Sequence, residues 1–484
     1  MVSKEKIISD MIYNGLDVVF VAIIGYLFWS IMGKMLTVFD YGLLTAIITF
    51  YILISSILSL NISEVFGKMI PQYKAKKEEH KINSLIFYSS KIVFSFTSIG
   101  VFIFLLFSFF NLFGDNFSKI IFWSTIMVIP GIFYIFLRGI LYGHTSFKKI
   151  FLVDLIAHTI KIFIAILFVY FGYKLGGVYA WIIAFIIATI LLFSSLKYKF
   201  KFSEFEDKKY FLDNLKSSFI ASVSVIFITY TGTLLLSYFN LEATGLYGAI
   251  VIIGQILSLF PSIIQSGLFP SISFLIKDNL NKTEILFNLV LKYLIIILIP
   301  CVIGFSFFGK QIILLIYKNE FLSIKDILPI YLVGVIFYIF GSNILSVIFS
   351  SDFQKERNKI LFFSSLISLI FNIVLIYYLS ILGAVISFLL TSLILFIFSL
   401  ISLKKTKIKI FFNKDMSIKF LFVLAIFIPT IYLISFVNNL FVFVILLILS
   451  FFYFFILYKL KILNDFDITI LKLTLEKIKE RIKI

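Results

Sequence analysis

Between Ile82 and Phe110 the chain reads INSLIFYSSKIVFSFTSIGVFIFLLFSFF, a long apolar run with a single charge, Lys91. A helix needs about 20 such residues to cross roughly 30 Å of hydrocarbon, and an unbroken run of this length is not a barrel strand. Runs of this kind, about 20 residues each, recur every 30 to 40 residues or so along the 484-residue chain. The composition agrees: 61% of residues are apolar and 14% charged, against roughly 25% charged in soluble domains, and the mean hydropathy is +1.11. A water-soluble fold has too little interior to hide this surface, so the expected class is all-α: a polytopic membrane protein.

Working outward from that run, apolar stretches bounded by charge or turn residues predict fourteen spans, near 10–32, 41–62, 82–110, 119–142, 150–171, 177–196, 214–238, 244–269, 285–308, 326–349, 358–379, 381–403, 417–437 and 440–460. With the N-terminus in the cytoplasm, 33 of the 43 Lys and Arg fall in the even-numbered loops and the two tails. The opposite loops carry Lys34, Lys119, Lys174, Lys310, Lys318 and Lys325. This bias sets the orientation, both termini cytoplasmic in a plasma membrane, and accounts for the +18 net charge without a nucleic-acid partner. The apolar stretch after Lys4 and Lys6 has no small-residue cleavage site and reads as a retained first span.

Cys301, His80, His144 and His158 are scattered, so neither an intrachain disulfide nor a metal cluster is expected. Two segments outside the spans have interfacial character: Phe66 to Tyr73, and the tail, where Leu471, Leu475, Ile478 and Ile482 share a face among lysines. A solvated basic tail is the competing reading of the latter.

The chain repeats itself. Gly42-Leu43-Leu44-Thr45-Ala46-Ile47 opens the second span and Gly245-Leu246-Tyr247-Gly248-Ala249-Ile250 the eighth, matching at four of six positions with an offset of 203. Phe147 precedes Gly177 by 30 residues and Phe353 precedes Gly383 by the same 30, an offset of 206. An even number of spans per half makes the halves parallel repeats. The predicted organisation is an N-terminal lobe of six helices (1–200), a C-terminal lobe of six (201–410), two further helices (411–460) and a basic amphipathic cytoplasmic tail (461–484). Two such lobes with a cavity between them suit an alternating-access transporter; a duplicated scaffold without transport is the plainer alternative.

Charge within a span costs roughly 2.5–3.5 kcal/mol at the helix centre, so each instance asks for a reason. Lys91, Arg138, Lys161 and Lys292 are the candidates for a cationic vestibule that receives an anionic head group such as a pyrophosphate, and Asp17, Asp154 and His158 are candidates for ion coupling. All are placed in the cytoplasmic half of their helices. Asp154, His158 and Lys161 share one helix face, with Asp154 and Lys161 about 10 Å apart along the axis and too distant to pair. Snorkelling to the surface is the competing reading for Arg138 and Asp154. Lys161 is too deep for it. Lys91 and Lys292 hold corresponding places in the two halves.

No nucleophilic triad, acidic pair or metal spacing occurs in a loop long enough to form a site, so no catalytic residue, metal or cofactor is expected and the protein is not read as an enzyme. Gly304-Phe305-Ser306-Phe307-Phe308-Gly309-Lys310 has the spacing of a phosphate loop, but Gln311 replaces the required Ser or Thr, and the run ends an apolar span.

Tyr41-Gly42, Leu137-Arg138-Gly139 with Tyr142-Gly143 and Phe147, Gly245-Leu246-Tyr247 to Pro270, and Leu382-Gly383-Ala384 resemble the polysaccharide or oligosaccharide repeat-unit flippases of the multidrug/oligosaccharidyl-lipid/polysaccharide exporter superfamily. The resemblance implies a flippase that carries a polyprenyl-diphosphate-linked oligosaccharide to the outer leaflet, with lipids and glycan-assembly membrane proteins as partners. The cationic residues correspond to that family's cavity in kind only. A lipid II flippase and an ion-coupled multidrug antiporter are the alternatives. Against the antiporter stand the final helix pair and the excess of cations over Asp17 and Asp154. A membrane glycosyltransferase would need catalytic acids in the longest outer loop, about 309–325, which offers only Glu320.

Overall fold

The computed structural model describes residues 4–196, 204–278, 280–351, 353–411, 414–435 and 441–463; the amphipathic tail expected beyond them lies outside the described residues. The α-helices are α1 (Lys4–Met35), α2 (Val38–Ser59), α3 (Ile62–Ala75), α4 (Glu79–Phe109), α5 (Asp115–Gly143), α6 (Phe147–Tyr170), α7 (Gly176–Ser195), α8 (Lys208–Phe239), α9 (Leu241–Asp278), α10 (Leu280–Phe307), α11 (Gly309–Ile316), α12 (Leu328–Ser350), α13 (Gln354–Leu403), α14 (Lys414–Ser435) and α15 (Phe441–Lys459).

Twelve helices among the described residues are long and apolar enough to cross a membrane. One of them, α13, has 50 residues, about 75 Å at 1.5 Å per residue and more than twice a bilayer's hydrocarbon. It is two spans joined at Ser380, whose φ of 50° breaks the helix. With the 19-residue α15 the crossings come to fourteen, as the sequence pattern predicts. The loops that hold most of the lysines lie on one face, here called the basic face.

Among the helices that precede residue 200, here called the first lobe, α5 packs on α2, α3, α4 and α7, and α6 packs on α1 and α7. Among the helices from α8 to α13, here called the second lobe, α13 packs on both α8 and α12, and α9 and α10 pack on α12 and on each other. The closing pair, α14 and α15, seats on α10, where the Tyr453 hydroxyl donates to the Ile296 carbonyl at 2.8 Å.

The helices that open on the repeated motif start alike. At α2, Thr37 Oγ1 accepts from the Asp40 amide at 3.2 Å. At α9, Asn240 Oδ1 accepts from the Glu242 and Ala243 amides at 2.9 and 3.1 Å. Each residue satisfies N–H groups that a helix start leaves unpaired. Thr37 and Asn240 each precede the motif glycine by five residues, so the caps obey the same offset of 203. α2 and α9 then pack on each other as the centre of the seam between lobes.

Two short elements differ from expectation. α3 does not lie on the lipid surface alone: Val65, Phe66, Met69 and Ile70 are buried, with the Phe66 and Phe136 rings 5.3 Å apart. The apolar face read as interfacial is covered by α5. In the loop read as 309–325, α11 and a 3₁₀ turn over Asn319–Ile324 form instead, and Lys310 of the apparent phosphate loop is helical.

That segment closes the face opposite the basic one. Lys34, at the end of α1, donates to the Leu314 and Tyr317 carbonyls at 2.6 and 2.7 Å, and Lys318 donates to the Met35 and Leu36 carbonyls at 3.2 and 3.0 Å. Each lysine caps the other lobe's helix end, where carbonyls lack partners and the helix dipole favours a cation. The Tyr41 and Tyr317 hydroxyls meet between them at 3.3 Å.

Candidate functional site

Arg138 stands five residues before the end of α5 and reaches α1 and α6 at once. Its Nη2 donates to Asp17 Oδ2 at 2.6 Å and its Nε to Asp154 Oδ2 at 3.1 Å. Tyr134, one turn earlier on α5, donates its hydroxyl to Asp154 Oδ1 at 2.8 Å. The Asp17 and Asp154 side chains are 4% and 1% exposed and that of Arg138 is 34% exposed. Neither carboxylate snorkels; the guanidinium holds both inside the first lobe. Asp17 Oδ1 has no hydrogen bond among the described residues.

Lys161 lies fourteen residues past Phe147 and nine before Tyr170. α6 begins three residues earlier than the apolar pattern indicates, so Lys161 lies past the helix midpoint, toward the face opposite the basic one and not in the half expected from the sequence. It is 1% exposed. Its Nζ is 3.0 Å from His158 Nδ1, 4.0 Å from the centre of the Trp181 ring and 5.1 Å from that of Phe28. An ammonium only donates, so a charged Lys161 requires His158 Nδ1 to accept. Aromatic faces stabilise a cation by about 0.5–2 kcal/mol, most where water is absent.

No ion pair joins Lys161 to Asp154, as their spacing requires. A gap of about 10 Å³, at the lower limit for one water, is lined by both of them, by Tyr134 and by His158. Lys161 and His158 also line a cavity of about 280 Å³ with Tyr26, Trp29, Gln255 and Ser258, bounded by α1, α6 and α7 of one lobe and α9 of the other.

A second cavity, about 680 Å³, lies at the basic face between the lobes. Glu64 and Lys68 of α3, Arg138, Asn214 of α8, and Phe349 and Gln354 line it. Lys68 Nζ donates to Asn214 Oδ1 at 2.7 Å. Arg357 is 3.9 Å from Glu64 and 4.1 Å from the Phe349 ring centre.

Five of the seven candidates, Asp17, Arg138, Asp154, His158 and Lys161, thus converge in one lobe. Lys91 and Lys292 do not join them. Lys91 is on the exposed side of α4 with Ile99 and Phe102, the helical phase of its lipid-facing residues, while Lys292 lines a largely apolar groove of about 720 Å³ between α10, α12, α13 and α14. Corresponding places in the repeat do not bring the two lysines to a shared cavity. Tyr134 and Trp181 escaped sequence reasoning, although Tyr134 is one turn from Arg138 and on its face. Lys68 and Asn214 escaped it, the one in a segment read as interfacial and the other as an uncharged residue at the start of a span.

The family model described as "Polysaccharide biosynthesis protein" matches residues 7–276. An uncharacterized membrane protein of Methanocaldococcus jannaschii, MJ1068, is 23% identical over 463 residues, 90% of this chain and 91% of its own length. A second from the same organism, MJ1375, is 24% identical over 422 residues, covering 82% of this chain and 98% of its own. Among solved structures, the fold is similar to lipid II flippase MurJ in an inward closed conformation, with a TM-score of 0.71, 20% identity, and 92% of this chain and 97% of that one covered. It is also similar to an inward-facing multidrug resistance MATE family transporter of the MOP superfamily, with a TM-score of 0.61, 14% identity and coverage of 82% and 95%.

Proposed function

The chain belongs to the polysaccharide biosynthesis protein family, and from that premise we propose that it flips a polyprenyl-diphosphate-linked oligosaccharide from the cytoplasmic to the outer leaflet of the plasma membrane by alternating access of its lobes. The basic face is the cytoplasmic one on this reading, as the lysine bias implies. Lipids and glycan-assembly membrane proteins are its partners.

The observation that carries the reading is Lys161: a buried amine, walled by Trp181 and Phe28, that faces a cavity between the lobes and pairs with no carboxylate among the described residues. An isolated charge at that depth is costly, and a diphosphate entering the cavity offsets the cost through charge-assisted hydrogen bonds. Arg138 has a different role. Two carboxylates neutralise it, so it adds little attraction for an anion and instead holds α1, α5 and α6 in register around the cavity.

A second reading, ion-coupled export of a small organic molecule, is favoured by Asp17 Oδ1, which has no hydrogen bond among the described residues while Asp17 shares Arg138 with Asp154; a lipid II flippase has a similar fold and would use Lys161 in the same way. Substrate choice separates them. Reconstituted protein is offered a fluorescent polyprenyl-diphosphate glycan, a fluorescent lipid II and a fluorescent organic cation, with and without proton or sodium gradients. Translocation of the first supports the proposal; cation exchange without movement of either lipid overturns it.

A further inference from the structure

We propose that Lys68 binds the phosphate of the incoming substrate at the cytoplasmic mouth, before Lys161 does so at depth, and that Asn214 is the stand-in which the phosphate displaces. The proposal rests on the flippase reading above. Three cations stand at or beside the 680 Å³ cavity, and two already have carboxylate partners: Arg138 holds Asp17 and Asp154, and Arg357 faces Glu64. Lys68 has instead the neutral amide oxygen of Asn214 at 2.7 Å, and no ion pair of its own among the described residues. An ammonium bonded to a neutral acceptor gains by exchange for an anionic one, because the attraction between opposite charges is added to the hydrogen bond.

The surroundings suit that exchange. Glu64, the one carboxylate in the lining, is occupied by Asn61 Nδ2 at 2.8 Å as well as by Arg357. Ser218 and Gln354 add hydroxyl and amide groups to the wall, the kind of donors that phosphate and sugar oxygens accept from. The cavity is of the size that ligand sites usually have. Asn214 keeps a second hold, its Nδ2 donating to the Tyr210 carbonyl at 2.7 Å, so its oxygen can be given up without freeing the side chain.

Lys68 and Asn214 belong to different lobes. Their bond is one of a few polar links between α3 and α8, with Asn61 Nδ2 to the Ser218 carbonyl at 3.4 Å and Tyr210 Oη to Gln72 Oε1 at 3.1 Å. A phosphate that takes Lys68 from Asn214 therefore removes a link across the cytoplasmic seam as it binds, and couples loading to movement of the lobes.

The test titrates full-length protein with inorganic pyrophosphate and, separately, with phosphatidylglycerol, using Lys68→Ala, Lys68→Arg and Asn214→Ala. The expected result is pyrophosphate binding weakened at least tenfold in Lys68→Ala, held within about threefold of wild type in Lys68→Arg, and tightened in Asn214→Ala. A purely structural bond would make both alanine variants less stable and leave their affinities alike, which overturns the proposal. So does pyrophosphate affinity unchanged by Lys68→Ala, absence of pyrophosphate binding to wild type, or a loss in Lys68→Ala confined to phosphatidylglycerol, which would make Lys68 a membrane-lipid contact. None of these outcomes requires transport, so failure of the flippase reading shows separately, in the translocation assay.

Discussion

Gly42 of α2 and Gly245 of α9, equivalent positions of the internal repeat, lie against each other where the lobes meet. A methyl group on Gly42 would strike the Leu241 carbonyl and come within 2.9 Å of the Gly245 amide nitrogen, and one on Gly245 would strike the Val38 carbonyl. Both collisions are with backbone, which cannot swing aside as a side chain can. Gly42→Ala or Gly245→Ala is expected to loosen the seam by about 1–3 kcal/mol, the usual cost of overpacking. Thermal melts and spin-label distances between Phe113→Cys and Lys310→Cys, in a Cys301→Ser background, would read it. An unchanged melt and distance in both variants would mean that the seam is not tight.

Arg138 is the bridge of its lobe. Removing one partner of a buried ion pair costs about 3–5 kcal/mol, and Arg138→Ala would strand two carboxylates. Loss of folded protein is expected, with Arg138→Lys an incomplete rescue because a point charge does not reproduce the guanidinium's separated donors. Asp17→Asn with Arg138→Ala is expected to recover part of the loss. Size-exclusion profiles of the variants check this, and a normal profile for Arg138→Ala would show that the trio is dispensable for folding.

On the proposed alternating-access reading, Lys34 and Lys318 form a latch at the face opposite the basic one. Lys34→Ala or Lys318→Ala leaves two helix-end carbonyls without the other lobe's cap and is expected to favour outward opening by about 1 kcal/mol, the order of one hydrogen bond. The same spin-label pair would show a longer distance gaining population about fivefold. No redistribution in either variant would rule out a latch.

His144, just past α5, is pushed down to about 4 by burial and by the nearby Lys74. An unfolded histidine titrates near 6.5, so between about 4 and 6.5 the unfolded chain binds a proton that the folded chain refuses. Stability from this residue is complete above the unfolded value and lost as the pH falls through that window. Melting temperatures are expected to decline between pH 7 and 4.5, and the slope to be shallower in His144→Gln. Equal slopes would assign the decline to other groups.

How much of this the residues reveal beforehand depends on range. Spans are local, a matter of apolar length and flanking charge, and they were legible even across α13, where the turn before Gly383 divides what is otherwise a continuous helix. The convergence of Asp17, Arg138 and Asp154 is tertiary: α1, α5 and α6 supply one residue each, so as single charges Arg138 and Asp154 read equally well as snorkelling. Lys68 and Lys318 looked like topology signals because most loop lysines are. The depth of Lys161 shifted with the first turn of α6, and boundaries are where pattern reading is weakest. α11 was missed because its eight residues follow an apolar span without interruption.

The most direct test of the central claim is the initial rate at which purified, reconstituted protein moves a fluorescent polyprenyl-diphosphate glycan between leaflets, compared with the rate of Lys161→Met, which removes the buried charge and keeps the bulk. The account predicts movement by wild type and at least a tenfold slower rate in the variant, with its melting temperature unchanged or raised, since a costly charge has gone. Equal rates would contradict it: Lys161 would then be a structural residue, and the head group would travel without it.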